Sequence, residues 1–95
     1  MALVGSLTKQ PREQIDFQLD YTTALGTRSD TIASVTSEVS PAGVLTVDYA
    51  QTAGLLVNVK VSGGNTGTQY KVTILTTSTA GMVYEDEVNI QVEEV

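Results

Sequence analysis

The chain has 95 residues, 41% of them hydrophobic, which suits a single domain with its own core and excludes a disordered chain. It contains no Cys, His or Trp, which excludes disulfides, cysteine-ligated metals and the usual catalytic triads. Its 5 basic and 11 acidic residues give a formal net charge of −6. This balance argues against nucleic acid as a direct partner, because nucleic acid is bound by basic surfaces.

Neither a targeting segment nor a membrane segment is predicted. No apolar run approaches the ~20 residues of a membrane-spanning helix. Residues 1–7 lack both the basic start and the long apolar stretch of a signal peptide. We therefore expect a protein that is made in a cytoplasm, stays soluble there at first and does not enter a membrane.

Residues 1–12 are predicted to form an extended N-terminal arm, followed by a sandwich domain at residues 13–95. Pro11 has no backbone N–H to donate, so this segment is not a central strand. The arm nevertheless has apolar side chains, which we expect to add an edge strand to this domain or to contact a neighbouring subunit. These side chains are Leu3, Val4 and Leu7.

After the arm, apolar and polar side chains alternate with a period of two, which is typical of half-buried β-strands. Strands are predicted at residues 15–20, 31–39, 44–49, 55–61, 69–77 and 82–92. Turns rich in Gly, Pro, Ser and Thr separate them. No segment has the 3.6-residue period of a helix, so the connection at residues 22–29 is predicted to be irregular. The pattern predicts an all-β, immunoglobulin-like β-sandwich of about seven strands with an extended N-terminal arm.

The second predicted strand has one apolar face. A strict period of two places Ala33, Val35 and Val39 together on that face. The same alternation places Ile32 on the opposite face, where it opens the strand.

Tyr70 stands at the start of the penultimate predicted strand, two residues before the core-facing Val72. In immunoglobulin-like folds a tyrosine at this place closes the corner between the sheets, because its hydroxyl bonds to backbone a few residues upstream. Tyr70 is therefore predicted to close the corner between the two sheets. The alternative is an ordinary tyrosine within a strand.

Residues that carry catalytic or ligand chemistry are few. Lys60 and Lys71 fall on outward positions of their strands. Asp30 and the run Glu85–Glu87 are candidates for calcium, but they lack the spacing of a dedicated loop, and the run is more typical of charges that protect an edge strand. The glycine-rich segment at residues 63–67 precedes a strand and not a helix, so it is not a phosphate site. We predict no catalytic residue, no metal site and no cofactor.

Several strings of residues, taken together, resemble a known family. They are Lys9-Gln10-Pro11, the segments at residues 30–35, 43–47 and 61–73, and the run at residues 76–81. The chain resembles the small immunoglobulin-like virion proteins of tailed bacteriophages, of the fibre–tail adaptor type. The likeness spans residues 9–92, although a Trp that such proteins often carry is absent and the apolar arm lies outside it.

The resemblance implies a non-enzymatic structural subunit of the virion, assembled in the host cytoplasm. Its partners would be other virion proteins, namely tail or neck subunits and fibre or spike subunits, and copies of itself in a homo-oligomeric ring. Two alternatives stay open at this point. A capsid decoration or head–tail completion protein would share the fold. A carbohydrate- or ligand-binding sandwich would need aromatic platforms, for which the candidates are Phe17, Tyr21, Tyr49, Tyr70 and Tyr84.

Overall fold

The computed structural model describes the backbone of residues 2–94 and the side chains of residues 5–94. Seven strands and one short helix follow each other in this part of the chain. They are β1 (Ala2–Lys9), β2 (Ile15–Asp20), α1 (Thr22–Gly26), β3 (Ile32–Ser40), β4 (Leu45–Ala53), β5 (Leu56–Gly63), β6 (Thr68–Ser78) and β7 (Val83–Val92). Among these residues no helix has the length and apolar character needed to cross a membrane.

The strands form two sheets, with the orders β1-β7-β6-β3 and β2-β5-β4. All neighbours are antiparallel except β1 and β7, which are parallel. Strands β2, β5 and β4 take the places of B, E and D of an immunoglobulin sandwich, and β3, β6 and β7 take those of C, F and G. The first strand pairs with the last one instead of with β2. The predicted all-β sandwich of immunoglobulin-like type is confirmed.

The core lies between the sheets and consists of the inward side chains of alternate strand positions. On β5 the predicted alternation is confirmed, because Val57, Val59 and Val61 have no exposed surface. The facing sheet adds fully buried side chains from β6 and β7, which are Val72, Ile74, Ile90 and Val92. Burial of apolar surface is the main favourable contribution to folding, at about 25 cal/mol per Å².

The predicted faces of β3 were wrong at its start. The pairing of β3 with β6 shifts between Ile32 and Ser34. Such a bulge changes which face the following residues occupy. Ile32, Val35 and Val39 therefore all pack against the core, while Ala33 is exposed.

Helix α1 occupies part of the connection that was predicted to be irregular. Its single turn is too short to show a helical period, which explains why the pattern missed it. Leu25 is fully buried there, and its N–H donates to the Tyr21 carbonyl at 2.8 Å. The Asp20 carboxylate, one residue before the N-cap Tyr21, accepts the Thr22 N–H at 2.8 Å and so satisfies one of the N–H groups that the first turn leaves without a helical partner.

Residues 2–9, predicted as part of an arm, form β1 at the edge of the four-stranded sheet of their own chain. Of the two alternatives predicted for the apolar residues of this segment, the structure has the edge strand in their own domain. Residues 10–14 connect β1 to β2. The division into an arm at residues 1–12 and a sandwich at residues 13–95 stays a prediction.

The acidic run Glu85–Glu87 does not protect an edge, because β7 lies between β1 and β6. Glu87 is only 9% exposed, and its Oε2 lies 3.2 Å from Lys71 Nζ on the outer face of the sheet. Asp86 is paired with the core residue Ile74 and points inward. The hypothesis of edge protection is therefore wrong for this run.

Candidate interaction surfaces

Lys9 ties the end of β1 to the glycine-rich β5–β6 loop. Its side chain is 1% exposed, and Nζ donates to the carbonyls of Gln10 (2.7 Å), Pro11 (3.3 Å) and Gly63. Burial lowers the pKa of Lys9 below its ordinary value of 10.5, and the Glu13 carboxylate opposes this effect. The three carbonyls replace the water that the ammonium group loses on burial.

Tyr70 packs beside the same loop. It is 2% exposed, and its hydroxyl accepts a hydrogen bond of 2.9 Å from the N–H of Asn65, five residues upstream. The aromatic ring borders Gly64, which is buried and has a φ of +100°. That Tyr70 closes the corner between the sheets stays a prediction. The hydrogen bond between its hydroxyl and the backbone of Asn65 is of the kind that this role requires.

Asp30 joins the loop after α1 to the β6–β7 turn. The residue is 8% exposed, and Oδ1 accepts the N–H groups of Thr31 (2.8 Å) and Ala80 (3.1 Å). The Ser78 hydroxyl does most to hold the pKa of Asp30 below its ordinary value of 3.8; burial opposes it, and the two N–H groups lower the pKa further. Its other oxygen, Oδ2, is buried without a well-formed hydrogen bond within the described residues. Because donors surround this carboxylate, it acts as an acceptor that joins two loops.

Substitution of Asp30 by Asn is expected to lower the urea midpoint at neutral pH. A carboxyl whose pKa is lower in the folded than in the unfolded state stabilises the fold above its unfolded pKa, and this contribution is lost as the pH falls through the folded pKa. The difference between wild type and Asp30→Asn should therefore shrink below about pH 4. Urea unfolding followed by circular dichroism at several pH values measures this. Asp16→Asn, at an exposed position on β2, controls for the change in net charge. A difference between Asp30→Asn and wild type that does not depend on pH would contradict the assignment.

A narrow apolar cleft opens between β1 and β2, the edge strands on one side of the sandwich. We call it the edge cleft. It has a volume of about 150 Å³, and its apolar walls are Leu7 of β1, Phe17 and Leu19 of β2, and Val88 of β7. At Gly5, which also lines the cleft, an added Cβ would meet nothing within 4 Å. The cleft is therefore open at the backbone of β1.

A second cleft of about 310 Å³ lies where β2 runs into α1. We call it the tyrosine cleft. Its walls are formed by Asp20, Tyr21 and Ala24 on one side and by Tyr84 and Asp86 on the other. Gln18 and Leu19 line both clefts, so the two adjoin along β2, and we refer to them together as the groove.

Tyr21 organises the tyrosine cleft. Its hydroxyl donates to Asp86 Oδ2 and accepts a hydrogen bond from the buried Thr76 hydroxyl at 3.3 Å. The rings of Tyr21 and Tyr84 are tilted by 43°, with centroids 5.6 Å apart. Burial, followed by the hydrogen bond to Asp86, raises the pKa of Tyr21 to about 12. The phenol therefore remains a proton donor to Asp86 at neutral pH.

Of the predicted arm contacts, only Leu7 has a described side chain. Leu7 is half-buried, packs against the core of its own chain and lines the edge cleft. Leu3 and Val4 lie outside the residues whose side chains are described. Within the described residues, no three acidic side chains come close enough to hold a metal ion, and Asp30 does not join the acidic run of β7.

The described part of the chain is a small immunoglobulin-like sandwich with a groove between two edge strands. Folds of this kind bind other proteins through edges and surface clefts. The sequence model of a family described as "Podophage GP4 fiber-tail adaptor protein gp77" matches residues 9–91, which is most of the chain. The chain belongs to this family. No curated protein matches it. The resemblance to bacteriophage fibre–tail adaptors is thus confirmed, and the protein is a phage structural adaptor that joins the tail to fibres.

The sequence alone did not indicate the residues of the tyrosine cleft. The pattern placed Asp86 in an acidic run interpreted as protecting an edge strand, and Tyr21 was a candidate only as an aromatic platform for a ligand. One signal was available. In the period-two pattern of β7, Asp86 and Tyr84 share the inward face with Val88. An acidic side chain on an inward face needs a hydrogen-bond partner, and Tyr21 provides it.

Proposed function

We propose that the protein is one subunit of a homo-oligomeric ring in the phage virion, placed between the tail or neck and the fibres or spikes. The observation that carries this proposal is the family match over residues 9–91. A chain of 95 residues has a small core, and docking against neighbouring subunits would add to its stability. Assembly would take place in the host cytoplasm, before the virion is complete.

We infer that the role is non-enzymatic. The family is one of structural adaptors, which supports this inference. The two inward carboxylates, Asp30 and Asp86, are each bound to donors of the fold itself. Their hydrogen bonds within the fold are of the kind that buried polar groups need for stability, which is consistent with a structural role.

The ring is tested with the purified protein. Light scattering in solution and negative-stain electron microscopy should show a closed ring of identical subunits, since heterologous contacts between copies close into rings when the rotation permits. A persistent monomer at high protein concentration would contradict the ring. A cryo-EM map of the virion then gives the position: density at the junction of tail and fibres supports the adaptor role, and density over the capsid shell would identify a decoration protein instead.

We further propose that Leu3, Val4 and Leu7 contact a neighbouring subunit. Because Leu7 already packs against its own core, this contact would use the free edge of β1 or an exchange of β1 between copies. A protein that lacks residues 1–6 should form fewer or smaller assemblies in the same light-scattering experiment. Unchanged assembly of a folded, shortened protein would remove this proposal.

A further inference from the structure

The tyrosine cleft combines two carboxylates with two aromatic rings, and none of the cations described in the structure forms an ion pair there. We propose that this cleft binds an arginine or lysine side chain on an extended segment of a partner protein, while the edge cleft takes an apolar side chain of the same segment. This inference rests on the proposed function only in assuming that the partner is another protein. It names the chemistry that the partner must present.

The charge of the cleft carries the first step. Asp86 is half-buried and directed inward, and Asp20 lies on the opposite wall. Within residues 5–94 the observed ion pair is Lys71–Glu87, on the outer face of the four-stranded sheet, whereas Asp86 points toward the inner face of that sheet. The chain as a whole has a formal net charge of −6. A cation that enters the cleft would therefore meet uncompensated negative charge in a place where partial burial strengthens the attraction.

The aromatic rings carry the second step. Tyr84 is half-buried and lies in contact range of Tyr21, with the rings tilted and not stacked. A guanidinium or ammonium group over the face of a tyrosine is attracted by the negative face of the ring, and the attraction is stronger when water is excluded. Arginine suits a cleft that presents a tyrosine ring beside a carboxylate, because its planar group can stack on the ring and donate hydrogen bonds to the carboxylate at the same time.

The same rings make a sugar a poorer occupant. A sugar needs an exposed aromatic face on which to stack, but Tyr21 is only 5% exposed. Its hydroxyl is also already committed to Asp86 and Thr76. The cleft thus offers little free hydrogen-bonding capacity to a neutral polyol, while its charge attracts a cation.

The edge strands carry the third step. Both β1 and β2 are outermost in their sheets, so their outer backbone groups are available to a further strand. Residues two apart along an extended segment point to the same side, which lets one enter the apolar cleft while the other reaches the charged cleft. The edge cleft and the tyrosine cleft offer that pair of sites along β2, with Gln18 and Leu19 between them.

The experiment uses a fluorescent pentapeptide, Val-Thr-Arg-Thr-Val, capped at both ends, in which the valines share a face with the arginine, and the same peptide with neutral citrulline in place of arginine. Fluorescence anisotropy against the full-length protein at low salt should give saturable binding with a Kd below about 1 mM for the arginine peptide. The citrulline peptide should bind about tenfold more weakly, because it lacks the charge. Binding of the arginine peptide should also weaken as salt is added.

The variants locate the site. Asp86→Asn should lower the affinity for the arginine peptide about tenfold and leave the affinity for the citrulline peptide unchanged. Glu85→Gln is the matched control, since it removes the same charge one residue away on the outer face of β7, and it should bind like wild type. Tyr84→Leu provides a second variant in case Asp86→Asn disturbs the fold, which circular dichroism and urea unfolding would reveal.

Equal affinity of both peptides, no binding below about 1 mM, or equal effects of Asp86→Asn and Glu85→Gln would each overturn the proposal. Competition by glucose or galactose without a preference for arginine would overturn it as well and would favour a sugar site. The peptide is titrated at a protein concentration at which light scattering shows monomers, so these outcomes do not depend on contacts between subunits at β1. A failed peptide test and a failed ring test are therefore distinguishable.

Discussion

Replacement of Gly64 by alanine is expected to lower the free energy of unfolding by about 3–5 kcal/mol. Two costs add. The residue has a φ of +100°, a conformation that a side chain disfavours, and a Cβ there would lie 2.7 Å from Val92 Cγ2. It would also lie 3.3 Å from Tyr70 Cε2 and 3.4 Å from Leu45 Cδ1. All three neighbours are buried, so none can move aside without disturbing the core.

Gly67→Ala is the matched control for Gly64→Ala. Gly67 belongs to the same loop and has a φ of +81°, but an added Cβ would meet nothing within 4 Å. Its substitution therefore carries only the conformational cost, about 1–2 kcal/mol. Urea unfolding of both variants, followed by circular dichroism, measures the difference. Equal losses would mean that backbone strain, and not the contact with Val92 and Tyr70, explains the need for glycine at position 64.

The sequence could predict the sandwich because its core strands follow a strict alternation. On β5 and β6 the period-two pattern identified the buried side chains correctly, from Val57 and Val59 to Val72 and Ile74. A pattern of this kind fails where the backbone departs from regular pairing. The bulge at the start of β3 reversed the predicted face of Ile32 for that reason.

The contacts between distant segments could not be predicted from the pattern. The glycine-rich loop was identified from its composition, but composition does not tell which glycine is buried against Tyr70 and Val92. The bond between Tyr21 and Asp86 joins residues 65 positions apart in the chain, and it depends on how the two sheets stack. The likeness to fibre–tail adaptors identified the family, whereas the groove along β2 follows only from the structure.

The contacts of Lys9 with the glycine-rich loop also join distant segments that the pattern could not bring together. Substitution of Lys9 by methionine is the second large effect that we expect. Lys9→Met should lower the free energy of unfolding by about 2–4 kcal/mol. Methionine keeps most of the buried aliphatic chain, so packing is largely preserved. The lost donor leaves the carbonyls of Gln10, Pro11 and Gly63 without their charged partner, and a hydrogen bond to a charged group is worth about 1.5–3 kcal/mol.

The matched control is Lys60→Met, the same substitution at a partly exposed lysine of β5. Within the described residues Lys60 forms neither an ion pair nor a side-chain hydrogen bond. Substitutions of such surface side chains usually change the free energy of unfolding by no more than about 0.5 kcal/mol. Urea unfolding of both variants should therefore give a clearly larger loss for Lys9→Met. Equal losses would show that the buried ammonium group contributes no more than a surface charge.

Hydrogen exchange should show where Lys9→Met acts. Lys9 is the last residue of β1, and its carbonyl accepts the N–H of Glu93 at 2.9 Å just beyond β7. Without the ammonium group, β1 is held at that end only by its parallel pairing with β7. Amide protection should therefore fall first at those β1 residues whose N–H groups bond to β7, and remain close to wild type on β5. A uniform loss of protection would mean that Lys9 stabilises the whole sandwich and does not specifically hold β1. In the expected case, Lys9 determines how easily β1 leaves its sheet, and thereby whether the apolar residues of that strand can serve a neighbouring subunit.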